Sequence, residues 1–193
     1  MQSSEFQEQS SLCPLNRRTF IKGQLIALAA LALPAPALAL ARPSARERSL
    51  SFYNTHTGEN LKNAVYWVNG GYVEETLEDI SFLLRDFRQN ETAPIDPALL
   101  DQIFALRKTL GVKNPVHIIS GYRSPLTNQM LREQGRGVAR RSLHMDGRAV
   151  DLRIPGCDLR TVQRAAIRMQ RGGVGYYPRS NFVHLDTGAV RSW

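Results

Sequence analysis

The stretch Ser142-Leu143-His144-Met145-Asp146-Gly147-Arg148-Ala149-Val150-Asp151 constrains this chain more than any other. It holds a loop histidine, a turn at Gly147 and then an apolar strand over 149–154. Along such a strand Val150, Leu152 and Ile154 point one way, and Ala149, Asp151 and Arg153 point the other. The apolar row demands a core, and the opposite row then carries a carboxylate away from it. A second histidine follows in Phe182-Val183-His184-Leu185-Asp186, where Phe182, His184 and Asp186 share a strand face. If that strand lies near the Asp151 strand, Asp151 and His184 converge, and the loop before Gly147 delivers His144. Two neutral imidazoles and one carboxylate are a common catalytic zinc set, with the fourth position left to water. A water held there is acidic enough to supply hydroxide near neutral pH. On spacing alone the other reading stays open: a loop histidine beside a strand aspartate in an ordinary salt bridge.

The first 41 residues read as a leader and not as fold. Asn16-Arg17-Arg18-Thr19-Phe20-Ile21-Lys22 is a paired-arginine block ahead of an apolar run over 25–33, then Pro34 and Pro36. Ala37-Leu38-Ala39 and Ala39-Leu40-Ala41 are small-x-small cleavage sites. This is the layout of a cleaved secretory signal, and the arginine pair points to the twin-arginine route into the periplasm. A membrane anchor is the alternative, but the apolar run is short and broken by prolines, and a span needs about 20 apolar residues. The mature chain is therefore expected to have no transmembrane span. Cleavage removes Cys13 and leaves Cys157, so the mature chain can form no internal disulfide. An exported domain of this kind must be held by its core and by any metal it binds.

Residues 42–48 read as a flexible lead-in, and 49–193 as one domain large enough for a full core. The leader carries Arg17, Arg18 and Lys22 against Glu5 and Glu8, so almost all of the net charge of +8 stays with the mature part. A basic exported domain is drawn to an anionic envelope polymer or membrane surface. Nucleic acid is the usual alternative; export argues against it, and no nucleic-acid motif is present.

Leu50 and Phe52, then Leu61 and Ala64-Val65-Tyr66, predict two strands around the Thr57-Gly58 turn, closed by Asn69-Gly70-Gly71. Leu77, Ile80, Leu84 and Phe87 recur at helical spacing. A second helix starts with Asp96 as cap and Pro97 first, buries Leu99, Ile103, Leu106 and Leu110, and stops at Gly111. Residues 116–120 form a short strand that runs into Gly121-Tyr122-Arg123-Ser124, and 126–133 form a helix. Asp158 caps a further helix with Leu159, Val162, Ala166 and Met169 on its apolar face. Two last strands cover 174–176 and 182–186. The order predicts an α+β fold with a small, mainly antiparallel sheet and flanking helices. His117 is expected in the core and His56 on the surface, and Asp146 and Arg148 form a candidate pair across the Gly147 turn.

Ser-x-His-x-x-Gly-x-Ala-x-Asp, here Ser142 to Asp151, resembles the first zinc motif of the D-Ala-D-Ala metallopeptidase superfamily, with lysostaphin-like enzymes and hedgehog domains among its members. Ser120-Gly121-Tyr122-Arg123-Ser124 resembles the strand-end motif that places an arginine near the zinc. With Gly172-Gly173-Val174-Gly175-Tyr176-Tyr177-Pro178 and Asn181 to Gly188, the chain looks like the murein endopeptidase K family over nearly its whole mature length. The resemblance implies a hedgehog/D,D-peptidase-like fold and one Zn²⁺ per chain on His144, Asp151 and His184. It implies hydrolysis of the peptide cross-links between peptidoglycan stem peptides. Two alternatives stand beside that: a D,D- or L,D-carboxypeptidase on uncross-linked stems, and a zinc-containing module that binds peptidoglycan without cutting it.

One departure keeps the last alternative open. The dipeptidase and carboxypeptidase branch has Glu-x-x-His with the Glu as general base, and here that position is Asn181, which cannot take a proton. Asp186 is the candidate in its place, either as base for the attacking water or as the group that orients His184. Arg123 either binds a substrate carboxylate or stabilises the oxyanion, and its bland reading is a salt bridge. Ser142 is expected to hydrogen-bond near a ligand. Arg136, Arg140 and Arg141 form a solvated loop or hold acidic stem peptides.

Overall fold

A computed structural model of the chain describes residues 46–135 and 137–193; the leader, its cleavage sites, the start of the lead-in and Arg136 lie outside the described residues. Strands β1 (Glu47–Asn54) and β2 (Asn60–Val68) make the expected hairpin. Glu47 and Arg48, read as lead-in, are already strand: Arg48 is anchored to Asp101 at 2.7 Å and lies over the Trp67 ring. The short β3 (Gly71–Tyr72) turns back onto β2.

Helix α1 (Glu74–Leu83) stops before the end of its predicted stripe, leaving Leu84 and Phe87 beyond it. Asp86 diverts the chain there, because its carboxylate accepts the N–H of Arg88 at 3.0 Å and of Ser124 at 2.9 Å. Phe87 instead stacks on the exposed His56. Helix α2 (Pro97–Leu110) has the expected ends: the Asp96 carboxylate accepts from the Ala98 N–H, and Gly111 closes it in the left-handed conformation. Next come β4 (Val116–Ser120), α3 (Pro125–Glu133), a 3₁₀ turn over Leu143–Asp146 and β5 (Ala149–Arg153). The chain ends in α4 (Leu159–Met169), β6 (Gly173–Tyr177), a 3₁₀ turn over Pro178–Ser180, β7 (Phe182–Asp186) and β8 (Arg191–Ser192). None of the described helices is long and apolar enough to cross a membrane.

The α+β class holds, but the expected small, mainly antiparallel sheet is corrected to one mixed sheet of eight strands in the order β3-β2-β1-β4-β5-β7-β6-β8. β1 runs parallel to β4, and β6 runs parallel to β8. A parallel neighbour requires a crossover, and the segment containing α1 and α2 supplies it between β2 and β4. Periodicity along each strand carries no information on that choice of neighbour.

Helices α1, α2 and α4 share one core with the sheet. Ile80, Leu99, Ile103, Leu106 and Val162 meet Phe52, Ile118, Val150, Leu152, Val183 and Leu185, all essentially without exposure. Each such side chain contributes about 1.5–3 kcal/mol relative to exposure. His117 is not in this core. Its neighbours Val116 and Ile118 are, so strand alternation sends it to the other face, where it is half-buried against Tyr53 at 4.9 Å. That other face is the one that carries Asp151 and His184.

Gly147 fixes how the loop with His144 reaches this face. It adopts φ 65°, and a Cβ there would run into the carbonyl oxygen of Pro94. Its own carbonyl accepts the Asp96 N–H at 3.0 Å, tying the turn to the start of α2. Asp146 and Arg148 do not pair; Arg148 instead reaches Thr187 at 3.0 Å and Asp96 at 3.9 Å. Gly111 also has positive φ but nothing within 4 Å of an added Cβ. Gly111→Ala is therefore expected to cost about 1 kcal/mol for the left-handed backbone alone. Gly147→Ala adds the collision and is expected to cost about 3 kcal/mol or more. Urea unfolding of both variants checks this, and equal losses would contradict the close-approach account.

Candidate metal centre

β5 and β7 are antiparallel neighbours, and their register sets Asp151 directly opposite His184. The alternation that buries Val150, Leu152, Val183 and Leu185 in the core therefore turns both functional side chains to the other face. The 3₁₀ turn after Ser142 brings His144 above them. One ligand atom each from His144, Asp151 and His184 lie within 4.8 Å of one another.

Each side chain is held from behind. His144 is almost wholly buried, and its Nδ1 sits 2.7 Å from the Gly121 carbonyl. A carbonyl only accepts, so Nδ1 carries the proton and Nε2 presents its lone pair to the centre. Nε2 lies 3.3 Å from Asp151 Oδ1 and 3.3 Å from His184 Nδ1. His184 Nδ1 is 2.9 Å from the same Asp151 oxygen, and its Nε2 faces Asp186 Oδ2 at 3.1 Å. The inward atoms thus find only each other. Three potential ligand atoms converging on one point suit a small cation that displaces the His184 proton, and an imidazole–imidazole–carboxylate set suits zinc by donor chemistry.

The charges around the centre are strongly coupled. Burial pushes the His184 pKa down, but Asp151 and Asp186 on its two nitrogens outweigh this and raise it to about 9. Burial likewise pushes the Asp151 carboxyl up, and His144 and His184 together hold it well below the usual carboxylate range.

Asp186 is fully buried, and its oxygens are occupied. Oδ1 accepts the N–H of Gly173 at 3.0 Å and of Gly188 at 2.8 Å, while Oδ2 accepts from Arg191 at 2.6 Å and faces His184. Burial alone would raise its pKa; His184, those backbone groups and Arg191 hold it low instead. Asp186 shares a strand face with His184, yet it lies on the side of the imidazole away from His144 and Asp151.

Arg123 is also brought to the site. It is 9% exposed, with one terminal nitrogen 3.4 Å from Ser120 Oγ and 3.7 Å from Asp151 Oδ2. Its buried Nε has no hydrogen-bond partner among the described residues. The guanidinium is thus deeply set with unspent donor capacity beside the convergent group. Ser142 precedes the 3₁₀ turn without a side-chain cap bond. A cavity of about 390 Å³ opens over the centre, with Arg123, Arg141, Tyr177 and Trp193 on its wall.

Sequence reasoning missed the Arg191–Asp186 pair and the aromatic wall. Arg191 opens a two-residue strand and Trp193 follows it, a stretch too short for a periodic signal, and Gly121 contributes only a backbone oxygen. The Gly121 position was nonetheless within the Ser120–Ser124 motif.

The sequence profile of the family described as "Peptidoglycan L,D-endopeptidase MepK" matches residues 42–193. Peptidoglycan L,D-endopeptidase MepK of Escherichia coli (strain K12) is 48% identical over 179 residues, covering 92% of this chain and 97% of that protein. Probable peptidoglycan L,D-endopeptidase MepK of Haemophilus influenzae is 40% identical over 179 residues, covering 92% and 95%. Among solved structures, Serratia marcescens L-Ala D-Glu endopeptidase ChiX aligns over 49% of this chain and 68% of its own, at 20% identity and a TM-score of 0.34. That structural likeness carries no argument, whereas the profile and the two relatives span nearly the whole chain. On their strength the chain belongs to the peptidoglycan L,D-endopeptidase MepK family.

Proposed function

We propose that this chain is a zinc endopeptidase that hydrolyses peptide cross-links in peptidoglycan. The observation that carries the reading is the convergence of His144, Asp151 and His184 within 4.8 Å at the floor of a cavity, with both imidazoles anchored on their outer nitrogens. In this reading the three side chains hold one zinc ion per chain, within a hedgehog/D,D-peptidase-like domain that begins with β1 at Glu47. When bound, zinc supplies Lewis acidity, polarising a carbonyl and lowering the pKa of a water. Arg123 lines the cavity, so its guanidinium is placed to meet a substrate oxygen, in the ground state or as charge develops. Hydrolysis breaks the amide C–N bond, with the oxygen of water going to the carbonyl carbon and its proton to the leaving amine.

Asp186 is better placed to orient His184 than to take a proton from water, because it is fully buried and its oxygens are spent on four donors besides the imidazole. A carboxylate on the outer nitrogen fixes the ring and raises its basicity. The relatives are named L,D-endopeptidases. A diaminopimelate–diaminopimelate link joins an L-centre to a D-centre, whereas D-Ala–diaminopimelate joins two D-centres, so the former is the bond we assign. An envelope substrate places the enzyme outside the cytoplasm, and the Arg17-Arg18 leader supports twin-arginine export to the periplasm. Arg17→Lys with Arg18→Lys is then expected to leave uncleaved precursor in the cell; normal processing would point to another route.

Purified protein given intact cross-linked muropeptide dimers of each linkage is expected to release monomers from the diaminopimelate–diaminopimelate dimer. Release of a terminal amino acid alone would mean a carboxypeptidase, and retention without cleavage a binding module.

Metal affinity carries two further expectations. In the metal-free protein His184 is held protonated up to about pH 9, above its ordinary 6.5. That raised pKa stabilises the metal-free fold fully below about pH 6.5, and the contribution is lost as pH rises through about 9. A metal must displace the proton, so affinity is expected to rise about tenfold per pH unit between 7 and 9. Chelator competition at pH 7 and pH 8 measures this, and a flat profile would contradict it. Asp186→Asn is expected to weaken metal affinity roughly 10–100-fold, with kcat recovering to within about tenfold of normal at saturating zinc. Normal affinity with kcat down about 100-fold would make Asp186 the base instead.

A further inference from the structure

The cavity over the metal centre has an aromatic wall that none of the groups discussed so far uses. The Trp193 backbone continues from β8 along β6, with its N–H donating to the Val174 carbonyl and its carbonyl accepting from Tyr176. This lays the indole across Gly175, the residue paired with His184 in the β6–β7 register. A Cβ at Gly175 would come within 2.8 Å of Trp193 Cε2 and 2.8 Å of Tyr177 Cε2. The indole therefore occupies the space that a side chain at 175 would take, immediately beside His184, with ring centroids 5.3 Å apart.

The ring is fixed in place. Its Nε1–H donates to the Tyr177 hydroxyl at 2.8 Å, which uses its one polar atom. Tyr177 stacks in turn on Phe182 at 4.6 Å, and the Arg191 guanidinium lies 5.0 Å from the indole centroid. Even so, Trp193 is 49% exposed and Tyr177 38% exposed, both on the cavity wall. A rigid, half-exposed apolar surface beside the reacting centre has little conformational entropy left to lose on binding. It offers a large contact area to an aliphatic group.

We propose that Trp193, braced by Tyr177 and seated on Gly175, is a substrate-contacting specificity residue whose indole packs against the aliphatic side chain flanking the scissile amide. This rests on the endopeptidase reading. A diaminopimelate side chain is a methylene segment that ends in one charged centre, so an aromatic face next to His184 matches its apolar part. Holding that segment stabilises the bound substrate and the transition state alike, so the contribution is read in binding and KM.

The test uses Trp193→Ala and Trp193→Phe with the diaminopimelate-linked muropeptide dimer as probe. Binding is measured on metal-free protein and turnover on zinc-loaded protein. Trp193→Ala is expected to weaken dimer binding and raise KM by about 10- to 100-fold. Zinc affinity should be unchanged and kcat within about threefold, with Trp193→Phe recovering part of the loss. Trp67→Phe leaves Trp193 as the single tryptophan, and its emission is expected to shift to shorter wavelength when the dimer binds. Unchanged binding and KM in Trp193→Ala would overturn the proposal, as would emission that ignores the dimer. A drop in zinc affinity or in kcat with KM unchanged would also overturn it, since that would make the indole a support for His184. Dimer binding that depends on Trp193 without any product would sustain the contact and defeat the hydrolase reading; no binding by the wild-type chain would defeat both.

Discussion

The Asp151 carboxylate sits almost fully buried on the sheet face opposite the core, and the surrounding architecture compensates for it. An isolated buried carboxylate is expensive, and it persists only where charge or hydrogen bonds offset the lost water. Here His184 faces it across the β5–β7 ladder, His144 approaches from the 3₁₀ turn, and Arg123 stands at 3.7 Å from the far oxygen. The core on the other side of the sheet makes this arrangement stiff. A one-residue slip of β5 or β7 would exchange Asp151 or His184 for a core residue, so hydrophobic burial itself enforces the register.

Behind this group lies a second layer that ties the end of the chain to the centre. Asp186 receives Arg191 from β8 and two backbone N–H groups, and it faces the outer nitrogen of His184. Through this layer the short β8 acts on a ring it does not touch by hydrogen bond, while Trp193 covers the neighbouring sheet position. Gly121 does the same for His144 through a single carbonyl. Both imidazoles are thereby oriented from outside, and their inward nitrogens both face the Asp151 carboxylate.

Much of this is legible in the sequence. Helix ends with chemical punctuation, Asp96-Pro97 to Gly111 and Asp158 at α4, fell where caps predict them. Period-two alternation correctly set Asp151 and His184 away from the core, and the loop ahead of Gly147 delivered His144. The β1–β4 pairing was not legible, because it depends on a crossover that local pattern does not encode. Phe87 fitted the helical stripe of α1, yet Asp86 diverts the chain through contacts with Arg88 and Ser124, the latter far along the sequence. His117 sat in an apolar run, but alternation within the run exposes it to the other face. For Asp186, spacing gave the shared face with His184 and said nothing about which imidazole nitrogen it would meet. That detail separates a proton acceptor from a positioning group.

The central claim is that His144, Asp151 and His184 act together as one zinc site. The most direct measurement is metal content, by elemental analysis, of the purified wild-type chain and of His144→Ala, Asp151→Ala and His184→Ala. The account predicts close to one zinc per wild-type chain and loss of that zinc in each variant. Full zinc occupancy in all three variants would contradict it.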